Sequence, residues 1–144
     1  MNKAFIYLSY AGLIPFVLLA ILLFIDINPL PSLVSIQHVL SVYGILIASF
    51  VAGSHWGISL SLPEDLHLTF IVILTNIIAI LLWLGFLFLS FRMLLLMLIS
   101  IFIIELISDY IIYSKHATDK IYMKSRFYVS SILIITLFFI WYFI

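Results

Sequence analysis

The chain has 144 residues, of which 67% are hydrophobic and 8% charged, with six basic residues balancing six acidic ones; its mean hydropathy is +1.40. A soluble domain carries about 25% charged residues, so this composition excludes one, and with it a hidden soluble catalytic domain. The balanced charge leaves no electrostatic footprint for nucleic acid. The absence of cysteine excludes disulfides, thiolate nucleophiles, iron–sulfur ligation and cysteine-based zinc sites.

About 20 apolar residues cross the hydrocarbon core as a helix. The hydropathy pattern predicts an all-α membrane protein, a single transmembrane helical domain over 1–144 with about five spans at about 4–25, 35–60, 67–89, 92–113 and 125–144. The first apolar run, Ala4 to Ile25, exceeds a signal-peptide core and lacks a small-residue cleavage site, so it is read as a retained helix. Pro15 frees a carbonyl and permits a kink there, eased by Gly12. Asp26 to Pro31 ends this span, since two prolines and Asn28 resist helix continuation.

The second span carries two interleaved stripes of small residues. Gly44, Ala48 and Ala52 recur every four residues, as do Ser49, Gly53 and Gly57. In lipid such stripes let helix backbones approach closely, which predicts a central helix with neighbours on both sides, or a dimer through Gly53 and Gly57. Pro63, Glu64 and Asp65 end this span and open the third, with acids where a helix N-terminus favours them. Ser90 to Arg92 reads as a tight hairpin, and the longest polar stretch runs from Ser114 to Arg126. The last residues place Trp141 and Tyr142 near an interface, where the chain is expected to end inside or at the membrane.

Five spans put the termini on opposite sides. One side carries Lys3, Lys115, Lys120, Lys124 and Arg126; the other carries Arg92. Basic residues set orientation, which predicts N-in, C-out. At about 1.5 Å per residue, Glu105 then lies roughly 20 Å and Asp109 roughly 26 Å along the fourth span from its outer end. His55, Glu105, Asp109, Arg126 and the segment Tyr7 to Tyr10 fall in one slab of the bilayer, with Asn76 somewhat deeper. Intramembrane charges cost about 2.5–3.5 kcal/mol each and therefore have partners, water or a proton to carry. The structural reading has Arg126 neutralise Asp109 or Glu105 while His55 donates to the other. The functional reading is a site for a polar ligand, a quinone headgroup or a proton relay, and a third is a contact surface for a partner protein.

At this point the motifs resemble those of the transmembrane protein 69-like family. Leu8 to Phe16 (Leu-Ser-Tyr-Ala-Gly-Leu-Ile-Pro-Phe) resembles its first-helix signature. Tyr43-Gly44, Ser49-Phe50, Gly53 and Trp56-Gly57 resemble its second-helix motif, and Asp109, Tyr122 and Arg126 its closing pattern. Ile121 and Ser125 stand where that closing pattern has tryptophan and leucine, and its preceding proline is absent. The resemblance implies a small multi-span protein of a bacterial or mitochondrial inner membrane and implies no activity.

The residue inventory narrows the chemistry. Haem ligation needs histidines at similar depth on facing helices, whereas His38 and His55 lie near opposite surfaces and His67 and His116 fall in loops. His55, Glu105 and Asp109 are suitable metal ligand types without diagnostic spacing, so neither a metal site nor a cofactor is assigned. No catalytic residue is assigned either. Three classes remain: an accessory or assembly subunit of a larger, respiratory inner-membrane complex; a small transporter or proton-conducting bundle using Glu105 and Asp109; and a membrane enzyme or binding site for a quinone or lipid headgroup. The expected partners are membrane lipids and other membrane subunits.

Overall fold

A computed structural model of the chain describes residues 3–63 and 68–144. The expectation of acids opening the third span falls on Glu64 and Asp65, which lie outside the described residues, as does His67. The described residues form α1 (Lys3–Ala11), α2 (Ile14–Phe24), α3 (Ile36–Ser61), α4 (Thr69–Phe88), α5 (Phe91–Ser114) and α6 (Lys120–Phe143), with no strand among them. Five helical stretches are long and apolar enough to cross a membrane, α1 and α2 together making the first, Lys3–Phe24.

The first span is broken rather than kinked at Pro15. Pro15 has no N–H to offer the Ala11 carbonyl, and the regular helical hydrogen bonding is interrupted at Gly12 and Leu13, just before the proline. Leu13 N–H turns back to the Tyr10 carbonyl at 3.0 Å. The Gly12 carbonyl instead accepts a hydrogen bond from the Tyr43 hydroxyl on α3 at 2.9 Å. An exposed backbone acceptor is costly in lipid, so the break is tied to α3 by that bond.

Two helices stop by the same device, which the proline-based reading of the first loop did not anticipate. Asp26 and His116 adopt left-handed backbone, φ 55° and 59°. After α2, Ile27 N–H reaches the Leu22 carbonyl and Asp26 N–H the Leu23 carbonyl; after α5, Ala117 N–H reaches Ile112 and His116 N–H reaches Tyr113. These paired bonds satisfy the last carbonyls of each helix. Asn28 then shapes the first loop, donating from Nδ2 to the Val34 carbonyl and accepting from Leu30 N–H, both at 3.0 Å.

The last helix starts earlier than the hydropathy pattern predicts, at Lys120 instead of about 125. Asp119 caps it, its carboxylate accepting from Tyr122 N–H at 2.7 Å. Charge density made Lys120 to Arg126 look like loop, but a capped amphipathic first turn tolerates Lys120 and Lys124.

The five spans run antiparallel to their chain neighbours. Contacts at one end join α3 to α4 (His38 beside Phe86), α2 to α6 (Phe24 beside Phe143) and α5 to α6 (Arg92 over Trp141, 5.4 Å). At the other end Phe5 of α1 stacks on Tyr122 of α6, ring centroids 5.1 Å apart. Phe16 and Phe102 pack edge to face within one core cluster that also holds Leu40, Leu98, Leu137 and Ile140, all fully buried. The outward faces carry large apolar side chains such as Leu46, Phe50, Phe70 and Trp83, as a lipid-facing surface requires.

The two small-residue stripes part company. Gly44, Ala48 and Ala52 are buried, and a Cβ added at Gly44 would stand 2.8 Å from Leu98 Cδ1 of α5. Ser49, Gly53 and Gly57 are exposed, and a Cβ at either glycine would meet nothing within 4 Å. Gly44→Val is therefore expected to lower stability by about 1–3 kcal/mol through overpacking, while Gly53→Val leaves the thermal midpoint in detergent within a degree or two. His116→Gly, relieving left-handed strain, is expected to add about 1 kcal/mol in the same assay.

Candidate functional site

Three helices deliver one polar cluster to the end of the molecule where α6 begins. α3 brings His55 from its penultimate turns, α5 brings Glu105 and Asp109 on one face at i, i+4 spacing, and α6 brings Tyr122 and Arg126, again at i, i+4. Asp109 is fully buried and collects the donors. Its Oδ1 accepts from His55 Nε2 at 2.8 Å and from the Tyr122 hydroxyl at 3.2 Å; its Oδ2 accepts from Arg126 Nε at 2.8 Å. One carboxylate thus joins α3, α5 and α6, and through the Phe5–Tyr122 stack it reaches α1.

Glu105, one turn away, is also fully buried, yet neither of its carboxyl oxygens has a hydrogen-bond partner among the described residues. The sequence reading gave one acid to Arg126 and the other to His55. Asp109 takes both. A second acid of the same face is left with none because α6 carries a single arginine at that level and its Nε faces Asp109. Three more polar atoms of the cluster region are buried without a partner: His55 Nδ1, Ser59 Oγ and Arg126 Nη2.

Other residues predicted for this slab do not join it. Tyr7 is 72% exposed and Tyr10 38%, so both face outward. Asn76 is exposed on α4, its Nδ2 donating to its own helix at Val72. Ser9 bonds within α1, to the Phe5 carbonyl. Among the described residues no group of three histidine, cysteine, aspartate or glutamate side chains is placed to hold a metal ion. His55 and Asp109 meet directly, and Glu105 hydrogen-bonds to neither.

Sequence reasoning missed Tyr122 as a partner of Asp109, although it stood in the closing motif. The signal was available: Asp119 three residues before Tyr122 is a helix cap, and starting α6 there puts Tyr122 and Arg126 on one face.

Two cavities adjoin these elements. One, of about 180 Å³, lies between α1, α3 and α6 and is lined at one end by Arg126, Tyr122 and Ser54. The other, of about 230 Å³, is an open groove between α3 and α4, lined by Ser49, Gly53, Trp56 and Asn76 among others.

Over residues 1–142 the chain matches the family described as a protein of unknown function, DUF3429. The chain belongs to that family. The match covers every residue of the polar cluster and of both small-residue stripes, and it carries no activity with it. No curated protein matches the chain, and no solved structure does.

A buried charge stripped of its partner costs about 3–5 kcal/mol in water-soluble proteins, and interhelical polar contacts in bilayers run lower, about 0.6–1.7 kcal/mol. Asp109→Asn and Arg126→Gln are each expected to destabilise the folded chain, with the double variant losing less than the sum, a coupling of about 1–3 kcal/mol in a denaturation cycle. Glu105→Met, which removes two unsatisfied oxygens at similar volume, is expected to raise the melting midpoint in the same detergent.

Proposed function

We propose that this protein is an accessory or assembly subunit of a larger inner-membrane complex, with a respiratory complex the specific expectation. The observation that carries this reading is the unoccupied small-residue face of α3. Ser49, Gly53 and Gly57 are exposed side by side, with open space above both glycines. The groove that Ser49 and Gly53 share with α4 also holds Asn76, whose side chain is exposed. In lipid, small residues let a second backbone approach, and an amide on the surface gains from a hydrogen bond across helices. The face therefore suits a transmembrane helix of another subunit. Most described residues lie in the helices of the five candidate spans, so the surface they form is mostly helix faces.

The same account puts the basic end, with Lys3, Lys115, Lys120, Lys124 and Arg126, on the inner side, which gives N-in, C-out topology in a bacterial or mitochondrial inner membrane. The family resemblance to transmembrane protein 69-like proteins agrees with that placement.

Purification in mild detergent tests the reading. The chain is expected to travel with larger membrane subunits, and Gly53→Leu or Asn76→Leu to release it while its own melting midpoint is unchanged. A lone monomer in mild detergent contradicts the proposal, and a pure homodimer replaces it with self-association through Gly53 and Gly57.

One observation favours a second reading, a proton-conducting bundle. Glu105 is a fully buried carboxyl with no partner among the described residues, one turn from Asp109. In liposomes with an internal pH dye, that reading requires proton flux that Glu105→Gln abolishes with the fold intact. The subunit reading requires no flux.

A further inference from the structure

The cavity between α1, α3 and α6 has a polar end and an apolar end. Arg126, Tyr122 and Ser54 line it where α6 begins, while Leu13, Ile47 and Leu133 line it toward the middle of the span. Leu8 and Phe50 stand beside it, 72% and 73% exposed, so it opens sideways onto the lipid-facing surface. A molecule entering from the bilayer meets the polar end at headgroup depth and keeps its tail among acyl chains. This is the arrangement of a membrane amphiphile.

The hydrogen bonds define what its head must offer. Ser54 gives its proton to the Val51 carbonyl and Ser9 gives its own to Phe5. Tyr122 gives its proton to Asp109. The donors left over belong to Arg126, which lines the cavity and uses Nε alone on Asp109. The head must therefore present an acceptor oxygen. Its charge follows from the neighbours. Asp109 already neutralises Arg126 at 2.8 Å, Glu105 sits one turn away, and no other cation lines the cavity. An anion would leave the pocket with excess negative charge, whereas a neutral carbonyl would not. The size points the same way, since about 180 Å³ is close to the roughly 150 Å³ that accommodates one benzene ring.

We propose that this cavity binds the ring of a quinone-class lipid, one carbonyl oxygen accepting from Arg126 and the hydrocarbon tail leaving past Leu8 and Phe50 into the bilayer. The site differs from the one the sequence suggested, because His55 is buried behind Asp109 and does not line it. The proposal concerns binding and does not depend on the subunit reading, which rests on a different strip of α3.

The test is native mass spectrometry of the purified full chain titrated with a decyl-substituted benzoquinone, its ring-dimethyl-ether analogue without carbonyls, and phosphatidylglycerol. One benzoquinone per chain is expected, with the ether analogue at least tenfold weaker. Ile47→Phe and Ser9→Phe fill the cavity from α3 and α1, and neither removes a hydrogen bond between helices. Each is expected to weaken the benzoquinone at least tenfold, and if one fails to fold the other decides. Unchanged binding in the filled variant overturns the proposal, and so does equal binding of the ether analogue, which would mean an apolar cavity only. Displacement of the benzoquinone by phosphatidylglycerol at equal concentration overturns it in favour of an anionic headgroup site.

Discussion

The arrangement of this protein depends on one carboxylate that accepts hydrogen bonds from two other helices. Asp109 is fully buried and accepts from His55 on α3 and from Tyr122 and Arg126 on α6. In a bilayer, apolar side chains gain little by leaving lipid for one another, so apolar contact does not by itself fix which helix sits beside which. A buried charge does, because it has few places where it can be satisfied. The close approach of α3 to α5 at Gly44 and Leu98 and the stacking of Phe5 on Tyr122 fit around that constraint.

The clamp divides the remaining polar groups by consequence. Arg126 spends Nε on Asp109 and lines a cavity that opens to lipid. Glu105 is left with no partner by the same allocation. On the side of α3 away from α5, Ser49, Gly53 and Gly57 stay exposed, because α5 packs on the Gly44 and Ala48 stripe instead. The subunit face, the lipid cavity and the unpaired acid are thus three consequences of one packing solution.

Much of this was legible in the residues. Apolar runs of membrane length, punctuated by proline, asparagine and acidic turns, gave the five spans, and counting along them brought Asp109, His55 and Arg126 to one depth. Depth, however, does not give azimuth. Counting could not tell that Tyr7 and Tyr10 face outward, or that one small-residue stripe is buried and the other bare. Hydropathy also hid the first turn of α6, since lysines that extend toward the interface read as loop, while the decisive local signal was the Asp119 cap. The break before Pro15 had a comparable cause: its stability lies in a bond from Tyr43, thirty-one residues away in sequence.

Nuclear magnetic resonance of the arginine Nε–H groups tests the clamp most directly. The chain contains two arginines, Arg92 and Arg126, so the two signals are assigned by a single substitution. The account gives Arg126 an Nε–H signal protected from exchange with water, lost in Asp109→Asn and retained in Glu105→Gln. An Arg126 signal that exchanges freely, or one that survives Asp109→Asn and vanishes in Glu105→Gln, would contradict it.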